Sequence, residues 1–290
     1  MSDITRKYSE IVSIAKFEPG LKNVYVEGLS DRYFINTFLN YHKIRGVVVY
    51  DIDTVDFSEL YKNMEEEEAA RYRASNKERV VLLAKSLERD LNNAPLSTLC
   101  IVDVDWDNVL NEVRTGLYLA YTDYNSMDMY LFAREVIECY LKQGLRISSV
   151  NVANLMDSLM VLCRQLFHVH CLMHENKKQI VDNTKDVSFD KTEQVCHLDF
   201  SEYWRKTLAK TGLTARSEEL LALFNSRIIH QCDNRMEMRG HDFVCFLYFC
   251  AKKMKSNMKM DEDEFANMFW QFANNEALAH EPLFQRVMNL

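Results

Sequence analysis

The distribution of apolar residues changes character about halfway along the chain. In the first half, short runs rich in β-branched residues alternate with longer segments of helical periodicity. Strands are predicted at residues 23–27, 46–50, 98–102 and 117–122. Helices are predicted at residues 31–41, 76–91 and 127–141. This alternation is typical of βαβ units and predicts an α/β fold, a mostly parallel sheet flanked by helices.

From about residue 148 onward, the apolar residues follow helical spacing only. Alternating steps of four and three predict one long helix that begins at Val152 and runs to about His174. Further helices are predicted at residues 200–210, 215–230, 241–255 and 261–275, while residues 176–198 are polar and irregular. The pattern predicts an α/β domain over residues 1–147 and an all-helical domain over residues 148–290.

Composition supports a folded, helix-rich protein. The 290 residues are 48% hydrophobic, which excludes a disordered chain, and they include only Gly 7 and Pro 3, which disfavours a β-sandwich with its many tight turns. No apolar run approaches the roughly 20 residues that span a bilayer, and residues 1–6 lack a signal-peptide core. We therefore expect a cytoplasmic protein that makes no membrane contact.

Charge is unevenly distributed along the chain, whose net charge is −8. This balance argues against a uniformly basic nucleic-acid binder, but residues 201–260 carry an excess of basic side chains while residues 51–70 are strongly acidic. Within the basic region, few acids interrupt Lys252, Lys253 and Lys255, which are candidate phosphate-binding residues. Ordinary solvated helix faces remain the alternative for both regions.

Carboxylates follow two of the predicted strands. Glu27 comes directly after the first strand, and Asp103 and Asp105 follow the strand at residues 98–102. In parallel sheets ligands bind at the carboxyl ends of strands, so we expect these side chains to lie close together. Ionised carboxylates within about 4 Å repel by roughly 1 to 4 kcal/mol per pair, so bound protons or a divalent cation must compensate. Mg²⁺ prefers such ligands and activates water beside a phosphate.

Each of these acids also has a structural interpretation. Asp31 fits the cap of the helix that follows it. The alternating aspartates at residues 103–107 resemble the start of a calcium loop, but Asn108 and Arg114 stand where that loop needs Gly and Glu. A purely structural role for the strand-end acids remains a further alternative.

Four histidines invite a metal or phosphate interpretation. His168, His170 and His174 have helical spacing suited to zinc, but no acid or cysteine completes a site, so core or polar-face roles are favoured. His241 follows Gly240 at a predicted helix start, where its imidazole would face a phosphate or the strand-end acids. In the alternative interpretation, only the next residue, Asp242, matters here. It is an acid in the first turn of the helix, where it suits the positive end of the helix dipole.

Four segments carry a family resemblance. The Val-Glu-Gly sequence around Glu27, followed by Asp103-x-Asp105, resembles the Toprim domain of topoisomerases, primases and OLD-family nucleases. More narrowly, these motifs together with residues 124–131 resemble the DUF4435 group, which includes the nuclease effectors of the PARIS anti-phage system. That group has Glu where Asp128 stands, and Gly-His-Asp late in its chains resembles residues 240–242 here.

The resemblance implies a Toprim-like Rossmannoid sheet and a nuclease dependent on Mg²⁺ or Mn²⁺. Glu27 would serve as general acid/base or metal ligand, and Asp103 and Asp105 as the metal-binding pair. Accessory ligands would be Asp31, Asp107 and Asp128, and His241 would join the catalytic residues.

The resemblance also implies partners. The substrate would be RNA, with host tRNA favoured, and an ABC-type ATPase sensor would hold the nuclease inactive until infection. We expect a homodimer in the active state, because cutting nucleic acid often uses two active sites. Two alternatives remain open: an OLD-type Toprim nuclease that cuts DNA, and a non-catalytic interaction module of an ATPase complex.

Overall fold

A computed structural model describes residues 5–62, 64–91, 96–179, 184–229 and 233–290. The strands are β1 (Arg6–Lys7), β2 (Lys22–Val26), β3 (Val47–Asp51), β4 (Val55–Asp56), β5 (Thr98–Val102), β6 (Leu119–Tyr121), β7 (Val187–Asp190) and β8 (Val195–Leu198). The helices are α1 (Tyr8–Phe17), α2 (Leu29–Tyr41), α3 (Ser58–Tyr61), α4 (Glu66–Arg73), α5 (Asn76–Asp90), α6 (Asp107–Leu110), α7 (Arg134–Cys139), α8 (Val152–Glu175), α9 (Phe200–Thr211), α10 (Ser217–Ile228), α11 (Gly240–Met254), α12 (Glu262–Trp270), α13 (Asn275–Leu278) and α14 (Pro282–Met288).

The chain divides into two compact units. The sheet unit comprises the described parts of Met1–Val104, Glu112–Asp123 and Asn274–Leu290. The helical unit comprises the described parts of Asp105–Asn111 and Tyr124–Ala273. The predicted division between residues 147 and 148 falls inside the helical unit, and residues 274–290 belong with the sheet rather than with the helices that precede them.

The centre of the sheet unit is a four-stranded parallel sheet in the order β3-β2-β5-β6, which confirms the predicted α/β class. From β2 the chain continues to β3 on one side, and from β5 it continues to β6 on the other. The direction of winding therefore reverses between β2 and β5. In open α/β sheets this reversal opens a crevice at the carboxyl ends of the two strands, where ligands bind.

Burial on both faces explains the two central strands. All five residues of β5 are buried, as are the last four of β2, and this is the environment that a continuous apolar run predicts. Helix α5 packs against β5 and buries Val80, Leu83 and Leu87 completely. Each such side chain contributes about 1.5 to 3 kcal/mol when it leaves water, so this layer holds the strand ends in fixed positions.

Residues 274–290 return to the sheet unit through α14. The Phe284 ring lies 4.6 Å from that of Phe38 on α2, measured between centroids. Arg286 donates through Nη1 to the Leu119 carbonyl at 3.0 Å, and the Leu283 N–H donates to the Asp123 carboxylate at 3.1 Å. These contacts join positions more than 150 apart in sequence and place residues 274–290 with the sheet unit.

The helical unit is organised around α8, whose 24 residues match the long helix predicted from residue 152. The unit is largely helical, but the prediction that it is all-helical is wrong. Strands β7 and β8 form an antiparallel hairpin where we expected irregular chain, and the N–H of Cys196 in β8 donates to Ser158 Oγ on α8 at 3.0 Å. His230, the predicted end of one helix, lies outside the described residues. No described helix is long and apolar enough to cross a bilayer.

One predicted helix is divided into three pieces. Residues 127–141 form a 3-10 helix at Met127–Leu131, then α7, then a π-helical turn at Tyr140–Gly144. The chain leaves helical geometry at Phe132, whose ring packs edge-on against that of Phe243 with 5.1 Å between centroids. A tertiary contact thus overrides the local periodicity. The helix predicted at residues 261–275 also divides, into α12 and α13.

Candidate active site

Two predicted site residues meet at the crevice between β2 and β5. Glu27 follows the last residue of β2, and its Oε1 accepts a hydrogen bond of 2.8 Å from the backbone N–H of Asp103, which follows β5. Both residues are partly exposed. The ends of β2 and β5 are therefore neighbours, and they lie where a parallel sheet presents ligand-binding groups, while the expected grouping of the Glu27, Asp103 and Asp105 carboxylates stays a prediction.

The first turn of α5 fixes the backbone at both strand ends. Asn76 Nδ2 donates to the Glu27 carbonyl at 2.7 Å, and Lys77 Nζ donates to the Val104 carbonyl at 3.1 Å. Arg79 donates to the amide oxygen of Asn76 and thereby orients it. Sequence analysis missed Asn76, because a polar first-turn residue carries no signal of what it contacts.

The neighbouring strand β3 also ends in an acid. Asp51 is its last residue, and the side chain is buried against the Arg32 guanidinium of α2, with 2.9 Å between Arg32 Nη1 and Asp51 Oδ2. Sequence analysis treated Asp51 only as part of an acidic stretch. Three adjacent strands therefore end in carboxylates, and the outermost of the three is paired with a cation.

Asp31 has the capping contact that the structural interpretation predicted. Its Oδ2 accepts a hydrogen bond of 3.1 Å from the Gly28 N–H at the start of α2. A carboxylate in this position satisfies an otherwise orphaned N–H and suits the positive end of the helix dipole. Its role as an accessory metal ligand stays a prediction.

The donor set at the crevice restricts how a metal would bind. Among the residues that the structure describes, no group of three or more His, Cys, Asp or Glu side chains is arranged to hold an ion. Glu27 presents its carboxylate at the crevice, and the chemistry of this donor is compatible with one mode of binding. Mg²⁺ usually keeps several waters and is held by one or two carboxylates plus substrate phosphates, rather than by a complete protein cage.

Asp105 and Asp107 belong to the helical unit. Asp105 has a left-handed backbone, with φ of 51°, and its N–H donates to the Asn125 carbonyl at 2.8 Å. Asn125 in turn donates through Nδ2 to the Asp105 carbonyl at 2.5 Å. Asp107 is buried at the start of α6. The two-way contact with Asn125 shows that residues 124–131, one of the segments in the resemblance, position Asp105; the metal-binding roles of both aspartates stay predictions.

Two further segments of the resemblance pack together in the helical unit. Gly240, at the first position of α11, lies so close to the 3-10 helix at Met127–Leu131 that a Cβ there would stand 2.3 Å from Ser126 Oγ and 2.5 Å from Asp128 Oδ2. Only glycine allows this approach. His241 follows on the exposed side, near enough for its charge to act on Asp128. The sequence-predicted residues Asp128 and His241 are thus neighbours.

Burial governs the ionisation of Asp128. Loss of solvent raises the pKa of its carboxyl to about 6, although a hydrogen bond from Trp270 and the positive charge of His241 act in the opposite direction. A carboxyl with this pKa exchanges a proton near neutral pH, which is the range useful in general acid–base chemistry. This arrangement does not test the predicted metal-ligand role of Asp128 or the predicted catalytic role of His241. Both stay predictions.

Two of the three histidines of α8, His168 and His170, lie in buried polar networks, whereas His174 is exposed. His168 Nε2 is 3.2 Å from Glu237 Oε2, which also accepts from Arg164. His170 contacts Arg239 through Nδ1 and Tyr203 through Nε2. Burial and the Arg239 charge lower the pKa of His170 to about 3, which keeps it neutral. These contacts agree with the core role that we favoured over zinc binding.

The three candidate phosphate-binding lysines have different surroundings. Lys252 Nζ donates to the Tyr248 hydroxyl at 2.9 Å, whereas Lys253 and Lys255 line a pocket in the helical unit. Lys255 also donates to the Leu145 carbonyl at 2.8 Å. The structure therefore brings two of the three lysines together at one cavity.

Comparison with known proteins adds no relative. No family model matches the sequence, and no curated protein matches it significantly.

Proposed function

We propose that this protein is a metal-dependent endoribonuclease of the Toprim type, similar to the AriB effectors of PARIS anti-phage systems. Its substrate in this proposal is host tRNA, and an ABC-type ATPase holds it inactive until infection; the active form is a homodimer. One observation carries the catalytic part: Glu27 and Asp103 meet at the reversal point of a parallel sheet, joined by the 2.8 Å hydrogen bond from the Asp103 N–H to Glu27 Oε1.

The reaction is hydrolysis of a phosphodiester. The oxygen of a water molecule forms a bond to phosphorus, the bond from phosphorus to one ester oxygen breaks, and the proton of the water passes to a base while the leaving oxygen gains a proton. When bound, Mg²⁺ or Mn²⁺ supplies charge neutralisation and a more acidic water. The carboxylates of Glu27 and Asp103 would hold the ion.

The protein's own residues contribute by fixing the position of the Glu27 carboxylate. Asn76 and Lys77 fix the two strand ends, so the Glu27 carboxylate is presented in one place before substrate arrives. The backbone N–H of Asp103 stabilises negative charge on Glu27, since a donor to a carboxylate favours its ionised form. An ionised Glu27 serves either as metal ligand or as the base that receives the proton of the attacking water.

The test replaces Glu27 by Gln, which keeps an oxygen able to accept from Asp103 but removes the charge. Wild type and Glu27→Gln are expressed alone, and total RNA and genomic DNA are examined. We expect tRNA fragments from the wild type and a loss of about 100-fold or more in the variant. Glu67→Gln, which changes an exposed acid of α4, is the matched control and retains cleavage.

Equal melting temperatures of the three proteins would show that the effect is not unfolding. Cleavage by Glu27→Gln at the wild-type rate would exclude Glu27 from the mechanism. Intact tRNA beside degraded DNA would replace this proposal by a DNA nuclease. If the wild type cuts neither, co-purification of the full chain with an ABC-type ATPase decides between an inhibited enzyme and an interaction module.

A further inference from the structure

A basic pocket lies in the helical unit, and none of the residues used above for hydrolysis lines it. Its volume is about 370 Å³, and three segments line it: the loop before α8, the turn between β7 and β8, and the last residues of α11. Each segment contributes positive charge. The four cationic residues are Arg146, Lys191, Lys253 and Lys255.

Hydrogen bonds between these segments hold the pocket in shape. Gln194, in the hairpin turn, donates through Nε2 to the Ser149 carbonyl at 3.0 Å, and its Oε1 accepts from the Asn151 N–H at 2.5 Å. Lys255 joins α11 to the same loop through the Leu145 carbonyl. The cations are therefore brought together by the fold and do not meet by chance at a mobile surface.

Left-handed backbone occurs at two positions that line this pocket. Arg146 and Gln194 both have φ of 56°. This conformation is uncommon for residues other than glycine, and it persists where surrounding structure requires it. At Arg146 and at Gln194, the left-handed residue is part of the loop that lines the cavity.

The pocket cations differ from several other cations of the helical unit in having no acidic partner among the described residues. Elsewhere in the unit, Arg164, Lys206 and Arg227 each contact a carboxylate within 2.8 Å. Among the described residues, none of the four pocket cations forms an ion pair, and the pocket lining includes no Asp or Glu. Four like charges at one cavity repel each other, and a bound anion relieves that repulsion.

We propose that this pocket binds a phosphate group in the backbone of an RNA strand. Lysine and arginine donate to phosphate oxygens, and the hydroxyls of Ser148 and Ser149 and the amide of Gln194 add uncharged donors. No aromatic side chain is found among the described residues of the lining, so the pocket offers no surface for stacking a base. It therefore recognises the backbone and positions the strand without reading its sequence.

The helix dipole does not account for the whole cluster. Lysines near the C-terminus of α11 offset the partial negative charge of that helix end, and this would explain Lys253 and Lys255 without a ligand. It does not explain Arg146 and Lys191, which come from two other segments. Lys255 uses one donor for the Leu145 carbonyl and retains further donors, because an ammonium group has three.

The choice of RNA as the ligand rests on the proposed function, so the test measures binding without cleavage. The full chain is titrated against a fluorescein-labelled single-stranded RNA of about 20 nucleotides in EDTA, from about 50 to 200 mM salt, by fluorescence anisotropy. The pocket variant is Lys191→Glu/Lys253→Glu, which reverses two exposed charges. The matched control, Lys177→Glu/Lys178→Glu, reverses two exposed charges just beyond the other end of α8, a 24-residue helix about 36 Å long.

We expect the pocket variant to bind RNA at least about tenfold more weakly at low salt, with a salt slope reduced by about 1.4, since each contact with a single strand contributes about 0.7. The control changes affinity by less than about twofold, and all three proteins melt at the same temperature. Equal weakening by both double variants would show a diffuse charge effect and overturn the pocket, as would unchanged binding by the pocket variant. If the protein binds inorganic phosphate at millimolar concentration but does not bind RNA, the pocket would be assigned to a free anion instead.

These outcomes separate the two proposals. RNA binding that depends on the pocket, in a protein whose cleavage is indifferent to Glu27→Gln, would refute the assigned catalytic residue and leave the pocket intact. Cleavage that needs Glu27 but is unaffected by the pocket variant, with unchanged RNA affinity, would refute the pocket alone.

Discussion

Glu27 in the sheet unit and Asp128 in the helical unit are both acids of the predicted site, but their surroundings act on charge in opposite ways. Glu27 stands at an open strand end, where a backbone N–H donates to its carboxylate. Asp128 lies against Gly240 on the start of α11, where burial raises its pKa to about 6. The first environment favours a negative charge, and the second favours a proton.

This difference shows that carboxylates grouped by a sequence motif need not have the same chemical role. A cation is attracted to a carboxylate that is already ionised, as the strand end favours. A carboxyl with a pKa near 6 gives and accepts a proton near neutral pH, which suits acid–base work. The comparison thus separates a position suited to holding charge from one suited to moving a proton, and three changes test it.

The largest effect is expected from filling the space at Gly240. In Gly240→Ala the new Cβ would meet Ser126 Oγ at 2.3 Å and the Asp128 side chain at 2.5 Å, so α11 must shift away from the 3-10 helix. We expect a loss of about 3 kcal/mol in the free energy of unfolding, measured by urea denaturation. Gly20→Ala, where nothing lies within 4 Å of the added Cβ, changes it by less than about 0.5 kcal/mol. Similar values for the two variants would show that the close packing around Asp128 does not exist.

A smaller, pH-dependent effect is expected from Asp128→Asn, which keeps the shape and removes the titration. The pKa of this carboxyl is about 6 in the native protein and 3.8 in its unperturbed state, so the native protein binds the proton more tightly. That contribution to stability is fully present below about pH 3.8 and is lost as pH rises through 6. The variant should therefore gain on wild type between pH 4 and 6 and keep a constant advantage above, of about 3 kcal/mol at most.

Stability measured by urea denaturation from pH 4 to 8 decides the question. A difference between Asp128→Asn and wild type that does not change with pH would mean that Asp128 does not exchange its proton in this range. The contrast between the two acids would then be lost.

The smallest effect is expected from replacing Asn76, whose side chain holds the Glu27 strand end in the sheet unit. Asn76→Ala removes the donor to the Glu27 carbonyl, and we expect the free energy of unfolding to fall by about 1 kcal/mol, as for one lost hydrogen bond. Asn154→Ala, which removes a comparable 2.9 Å amide contact to the Glu193 carbonyl in the helical unit, is the control. If Asn76 positions Glu27, only Asn76→Ala lowers tRNA cleavage. Equal cleavage by both variants would deny it that role.

Local patterns sufficed for the four strands of the parallel sheet and for the meeting of the β2 and β5 strand ends. The apolar run at residues 98–102 matches β5 at both ends, since burial on both faces leaves only one pattern for such a strand. Because parallel strands end at one edge, the proximity of Glu27 and Asp103 followed from the sequence. Asn76 did not, since what its amide contacts depends on how α5 packs.

Long-range contacts decided the rest. The hairpin of β7 and β8 is polar on its outer face, and it is anchored to α8 by the bond between the Cys196 N–H and Ser158 Oγ, which local periodicity does not reveal. The division of residues 127–141 depends on Phe243, over a hundred positions further along. The pocket cations were only partly foreseen, because Arg146 and Lys191 join the lysines of α11 through folding alone.

Because α14 packs back onto the sheet unit, that unit can finish folding only late in synthesis. A ribosome exposes residues 124–273 of the helical unit before it has made Phe284, whose ring covers Phe38 in the core of the sheet unit. Chains fold as they emerge, and contacts between distant positions form late. The core of the sheet unit is thus completed only after the rest has been translated, so a nascent chain interrupted before α14 would lack a finished sheet unit.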